Sequence, residues 1–155
     1  MVEIIRITFT VINYVTEDEE LVIQGLRSCV PQDLTIDITR QLLYSQFNDK
    51  MVLLTLTLSK VNEIQEGLNW LSTNLDDKSK SYLFRYLEKK LDLDERVIHI
   101  RLDKFKAVDK IIRITEGSDV IKVVISYSAY TQEENTLENV TTLLLKHNLI
   151  QTGDI

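Results

Sequence analysis

The stretch that decides the fold is Val52-Leu53-Leu54-Thr55-Leu56-Thr57-Leu58-Ser59. Val52, Leu54, Leu56 and Leu58 alternate with Leu53, Thr55, Thr57 and Ser59. This is the period-2 pattern of a strand with one apolar face and one hydroxyl-bearing face. Upstream, Leu34, Ile36 and Ile38 alternate with Thr35, Asp37 and Thr39, which predicts a partner strand. Asn48 and Asp49 mark the turn, and residues 41–50 connect the two strands. Residues 2–13 read as a first strand, rich in Ile, Val, Thr and Phe. Ile5, Ile7, Phe9 and Val11 share its inner face; Ile4, Arg6, Thr8, Thr10 and Ile12 share the other. Between these strands, Thr16 with Glu19 forms a capping-box pattern that opens a helix. Leu21, Val22, Gly25, Leu26 and Cys29 continue it until Pro31.

Downstream the period changes. Asn62 with Gln65 starts a helix whose stripe is Ile64, Leu68, Leu71 and Leu75, with Trp70 beside it. Asp76 and Asp77 cap a second helix carrying Leu83, Leu87 and Leu91. Three strands follow at 96–102, 108–115 and 120–127, the last two joined as a hairpin by Glu116-Gly117-Ser118-Asp119. A final helix starts at Thr131, paired with Glu134, and runs through Leu137, Val140, Leu144 and Leu145. The predicted order is β-α-β-β-α-α-β-β-β-α. It specifies a single α+β domain over 1–155, a mainly antiparallel sheet with helices packed on one face.

The 155 residues carry a net charge of −6, yet the charge is uneven. Residues 78–122 hold twelve of the eighteen Lys and Arg residues, against eight of the twenty-four acids. A local excess of this kind points to a surface that meets an anion, unless folding interleaves it with acids from elsewhere. Cys29 is alone and reads as a small buried hydrophobe. That fits a reducing, cytoplasmic compartment, and the N-terminus lacks a signal-peptide pattern. No apolar run approaches a membrane span. His99 and His147 have no Cys or carboxylate at metal-ligand spacing, so neither metal nor cofactor is expected. There is no P-loop, no dinucleotide fingerprint and no nucleophile elbow, which argues against an enzyme. The acid run Glu17–Glu20 is explained by a solvated helix start. Lys89 and Lys90 are explained by a helix C-terminus.

Side-chain parity describes the uncovered sheet face. It displays Arg6, Thr8, Thr10, Thr55, Thr57 and Ser59, with His99, Arg101, Arg113 and Lys122, and Asp37 as its main acid. Hydroxyls and cations suit phosphate and sugar. No aromatic within the predicted strands has that parity, which disfavours a base-stacking platform on the face itself. At the end of the 96–102 strand, Lys104-Phe105-Lys106 places an aromatic between two cations in a loop, where it could stack on an unpaired base. Lys110 continues this patch, and Lys78, Lys80 and Arg85 extend it.

Arg101-Leu102-Asp103-Lys104, Ala107 and Gly117-Ser118-Asp119-Val120-Ile121 resemble the C-terminal signature of an archaeal family of RNA-binding, predicted exosome-associated proteins. The start is similar too: a strand, then Thr16-Glu17-Asp18-Glu19-Glu20 opening a helix that leads to Pro31. The resemblance spans nearly the whole chain. It implies the α+β fold of the ribosomal protein that binds 5S rRNA, and RNA binding without catalysis. The chain departs from the family pattern at Gln41–Met51, which lacks the family's glycine and histidine, and at Val108 and Asp109, where the family favours an aromatic and a glycine.

The leading expectation is a non-catalytic RNA-binding protein, an accessory factor in RNA processing or degradation with an exosome- or ribosome-related partner. The rival is a protein–protein module or homodimeric adaptor that uses the open face or an edge strand. A third reading is an enzyme whose constellation only folding assembles.

Overall fold

The computed structural model describes residues 1–152. One six-stranded, fully antiparallel sheet runs through the molecule. Its strands are β1 (Val2–Tyr14), β2 (Thr39–Tyr44), β3 (Lys50–Leu58), β4 (Leu91–Asp92), β5 (Val97–Leu102) and β6 (Ile121–Ala129), in the spatial order β2-β3-β1-β6-β5-β4. The helices are α1 (Glu19–Arg27), α2 (Val61–Asn74), α3 (Asp77–Arg85), α4 (Leu87–Lys90), α5 (Lys104–Val108) and α6 (Leu137–Lys146). The predicted α+β class holds.

The strand that decides the fold behaves as its alternation requires. Leu54, Leu56 and Leu58 are buried, while Thr55 and Thr57 are only half-buried. The helix-facing side of the sheet is completed by Ile7, Phe9 and Val11 of β1, Ile98, Ile100 and Leu102 of β5, and Ile121, Val123, Ile125 and Tyr127 of β6. Against it pack Leu26 of α1, Leu68 and Leu71 of α2, Leu83 of α3, and Val140, Leu143 and Leu144 of α6. Cys29 is fully buried in this core, and burial pushes its thiol up to about 12. At Gly67, a Cβ would stand 2.4 Å from the Leu58 Cδ1 atom, so the glycine lets α2 approach the end of β3.

Several local expectations are corrected. Ile5 is not inward: a bulge between Ile4 and Arg6 shifts the register, turning Ile4 toward the core and exposing Ile5. Residues 34–38 form no strand. Leu34, Ile36 and Ile38 do pack against the core, but their alternation reports burial without a ladder partner. The true hairpin strand is β2, which begins at Thr39, the end of the predicted strand, and runs into the segment read as a connection. Its turn does fall at Asn48, with φ at 66°, and Ser45 Oγ accepts from the amides of Phe47 and Asp49.

The predicted 108–115 strand is also absent. Asp103 accepts hydrogen bonds from the amides of Phe105 and Lys106 and thereby starts α5 where a loop was expected. Lys110, at φ 65°, turns the chain back, and a single bridge between Leu102 and Ile114 replaces the hairpin. Helix α1 is capped by Asp18 rather than Thr16. Thr131 caps only a 3-10 turn at Gln132–Glu134, and Thr136 caps α6.

Candidate nucleic-acid interface

The antiparallel registers assemble the open face row by row. Thr39 of β2 pairs with Thr55 of β3, Thr55 with Thr10 of β1, Thr10 with Lys122 of β6, and Lys122 with Arg101 of β5. Paired residues point the same way, so three threonines, a lysine and an arginine cross five strands as one line. The next row is Thr57, Thr8, Val124 and His99. Beyond it, Arg6 pairs with Ser126 and Ser126 with Val97. Each of these side chains is exposed or half-buried, because every helix packs on the other face.

The two cations of the main row are unevenly held. The Arg101 guanidinium donates to the Gly117 carbonyl at 2.7 Å. Among the described residues, Lys122 and Arg101 make no ion pair with a carboxylate. Lys90, at the end of α4, joins them from the side. Its ammonium is lowered below the ordinary value by burial, then by the neighbouring charges of Arg101 and Lys89, although Glu116 pairs with it at 3.0 Å. Lys90 therefore ends α4 as expected and also stands beside the face. A shallow depression of about 510 Å³ opens there, lined by Lys89, Lys90, Asp92 and His99 among others.

Other expected site residues go elsewhere. Lys104 is not a loop cation: its side chain is 3% exposed, and Nζ donates to the Ile12 carbonyl at 2.7 Å and to Glu17 and Asp119 at 2.8 Å each. It joins the end of β1 to the loops before α1 and before β6. Lys80 is buried and donates to the Ser72 carbonyl at 2.6 Å. Arg113 is off the open face altogether, exposed beside Asp76 at 3.4 Å. Lys78 lines a small cleft with Arg113 on that helical side, and Arg85 is exposed on the same helix, α3. Lys106 and Lys110 are exposed on and after α5, and Phe105 is 62% exposed. Acids from outside the basic stretch thus do interleave with part of it. The open-face members Arg6, His99, Arg101 and Lys122 remain together.

Sequence reasoning missed Tyr14. Strand β1 runs one residue further than expected, and Tyr14 has the open-face parity of Thr10 and Ile12. Continuing the alternation by one residue would have found it.

The comparisons with known proteins fall on the same elements. A family model described as RNA binding matches residues 6–127. The chain belongs to this RNA-binding family. The matched span runs from Arg6 of β1 to Tyr127 of β6 and so includes the whole Thr55–Thr10–Lys122–Arg101 line. An RNA-binding protein of Pyrococcus abyssi is 25% identical over 127 residues, covering 80% of this chain and 82% of its own. A solved protein of Archaeoglobus fulgidus has the same fold, with a TM-score of 0.79 at 24% identity over 94% of this chain and 99% of its own. A second, from Methanothermobacter thermautotrophicus, has a TM-score of 0.71 at 25% identity over 91% and 98%. Family members are archaeal in each of these cases. Among the described residues, no helix is long and apolar enough to cross a membrane.

Proposed function

We propose that this chain binds RNA through the open sheet face and performs no chemistry on it. The observation that carries the reading is the direct opposition of Arg101 and Lys122 at the end of a line of threonines. Like charges placed opposite each other on a sheet oppose folding, and a bound phosphate relieves them. The threonines of the line supply hydrogen bonds to phosphate and ribose oxygens, and Arg6 and His99 flank it on the next rows. Family membership supports the same reading. We further propose a cytoplasmic accessory role in RNA processing or degradation, in an exosome- or ribosome-related assembly. The α+β architecture, with helices on one face of an open sheet, is compatible with the likeness to the 5S-rRNA-binding ribosomal protein.

The test is an amide-shift titration of the labelled chain with RNA. Shifts centred on β1, β5 and β6 are expected; shifts confined to α2, α3 and α6, or none at all, would contradict the proposal.

One observation favours a second surface for self-association. Among the described residues, strand β2 is an edge of the sheet, and Leu42, Tyr44 and Phe47 around it are exposed at 53%, 55% and 78%. Pairing of β2 with its copy would cover them in an isologous dimer. Sedimentation of Leu42→Lys against the parent chain checks this: a dimer that becomes monomeric supports it, and a parent that is already monomeric dismisses it.

A further inference from the structure

The geometry points to a stacking site for an unpaired nucleobase at the rim of the open face, built from Tyr14 and Phe105. This inference rests on the RNA-binding reading and names the class of RNA that the face would take.

Lys104 organises the site without offering its charge. An ammonium has three hydrogens, and those of Lys104 are satisfied by Ile12 O, Glu17 Oε1 and Asp119 Oδ1. No hydrogen is left for a phosphate. The same Nζ lies 4.9 Å from the Tyr14 ring centroid and 5.7 Å from that of Phe105. Two aromatic rings from distant parts of the chain are therefore gathered about one fixed ammonium.

Both rings have fixed backbones. The Tyr14 amide donates to Glu17 Oε1, and the Tyr14 carbonyl accepts from the Glu17 amide. Phe105 sits in the first turn of α5, where its amide is held by Asp103. Yet Phe105 is 62% exposed and does not serve the core. Its exposure is unfavourable for an isolated chain and useful to a chain that stacks on a ligand.

The surroundings decide the occupant. Tyr14 lies on the same face of β1 as Ile12 and Thr10, and Thr10 is paired with Lys122, so the Tyr14 side of the site adjoins the proposed phosphate-binding line, and Phe105 joins it from α5 across the shared Lys104 ammonium. Lys106 follows Phe105 and is exposed. A strand whose phosphates lie along Lys122 and Lys106 would bring a base to the rings between them. A duplex keeps its base faces inside the stack, so only an unpaired base reaches these rings. A preference for single-stranded or looped RNA follows.

The test compares the full chain with Phe105→Leu and Phe105→Tyr. Leucine keeps apolar bulk without a π face, and tyrosine keeps the face. Each is titrated with a short single-stranded oligoribonucleotide, with the same strand carrying abasic sites, and with a perfect duplex. Phe105→Leu should weaken single-strand binding about 5- to 100-fold and leave duplex binding and the salt slope unchanged. Phe105→Tyr should bind as the parent does. The abasic strand should bind the parent about as weakly as the intact strand binds Phe105→Leu. A parent that binds RNA and loses nothing in Phe105→Leu overturns the stacking site while leaving the cationic line standing. A parent that binds no RNA at low salt overturns both.

Discussion

Arg101 of β5 and Lys122 of β6 stand directly opposite each other on the uncovered face of the sheet. Opposed like charges on neighbouring strands oppose folding by roughly 0.2–1 kcal/mol. Here the pair adjoins Thr10 and Thr55 in one line across the sheet, so the unfavourable placement falls on the line proposed to bind phosphate.

Replacing Lys122 with threonine should therefore separate stability from binding. The variant is expected to melt about 1–3 °C higher, because the repulsion is gone. Its RNA affinity should fall for all sequences alike, because phosphate contacts carry no sequence information. Thermal melts and binding curves on the same preparation check both directions.

Lys104 should behave as a structural residue. Lys104→Met leaves Glu17, Asp119 and the Ile12 carbonyl without their shared donor. Breaking a buried pair from one side costs about 3 kcal/mol, and partial exposure of Asp119 lets water recover some of it. Denaturant unfolding measures the loss. A further change of Glu17 and Asp119 to Gln and Asn, made in the Lys104→Met chain, should restore most of it. Charge reversal at Lys104 would report folding and say nothing about an RNA contact.

The buried thiol of Cys29 gives a pH prediction. Its ordinary value is 9.0, and burial raises it to about 12. A folded value above the unfolded one means the native state holds its proton longer. That contribution to stability is complete below pH 9.0 and is lost as pH rises through about 12. At neutral pH the thiol should resist alkylation in the native chain and react fully in denaturant. Rapid native labelling would contradict its placement in the core.

Tyr127 donates to Asn135 Oδ1 at 2.5 Å inside the core, and Asn135 Nδ2 donates to the Leu93 carbonyl at 2.8 Å. Tyr127→Phe removes the first donor and leaves a buried acceptor, at a cost of about 1–2 kcal/mol. Chemical denaturation should show this with an unchanged m-value.

The sequence made the sheet legible wherever alternation and pairing coincided. Thr55, Thr57, Thr8, Thr10, Arg101 and Lys122 all fell on the expected face, because a strand's side-chain period leaves no freedom once its register is set. The two missing strands share one cause. Leu34, Ile36 and Ile38, and later Ile112, show apolar alternation because they pack on the core without a ladder partner, and Ile114 makes only the single bridge to Leu102. At Asp103, a local capping bond outweighed the strand pattern that followed. The site was half legible. The charge excess in residues 78–122 did mark the basic elements, yet Lys80 and Lys104 are spent inside the protein, and Glu17, 87 residues before Lys104, reaches it only through tertiary contact. Composition counts charges but does not show which carboxylates folding brings to them.

The most direct test of the RNA-binding face is the salt dependence of RNA affinity in the parent chain and in the double variant Arg101→Gln/Lys122→Gln. Engagement of two to four phosphates predicts that log K for the parent falls against log salt with a slope of about −1.5 to −4. The double variant should bind more weakly, with a slope shallower by about 1.5. An identical slope in both chains, or no binding by the parent at low salt, would contradict the assignment of RNA to the Arg101–Lys122 line.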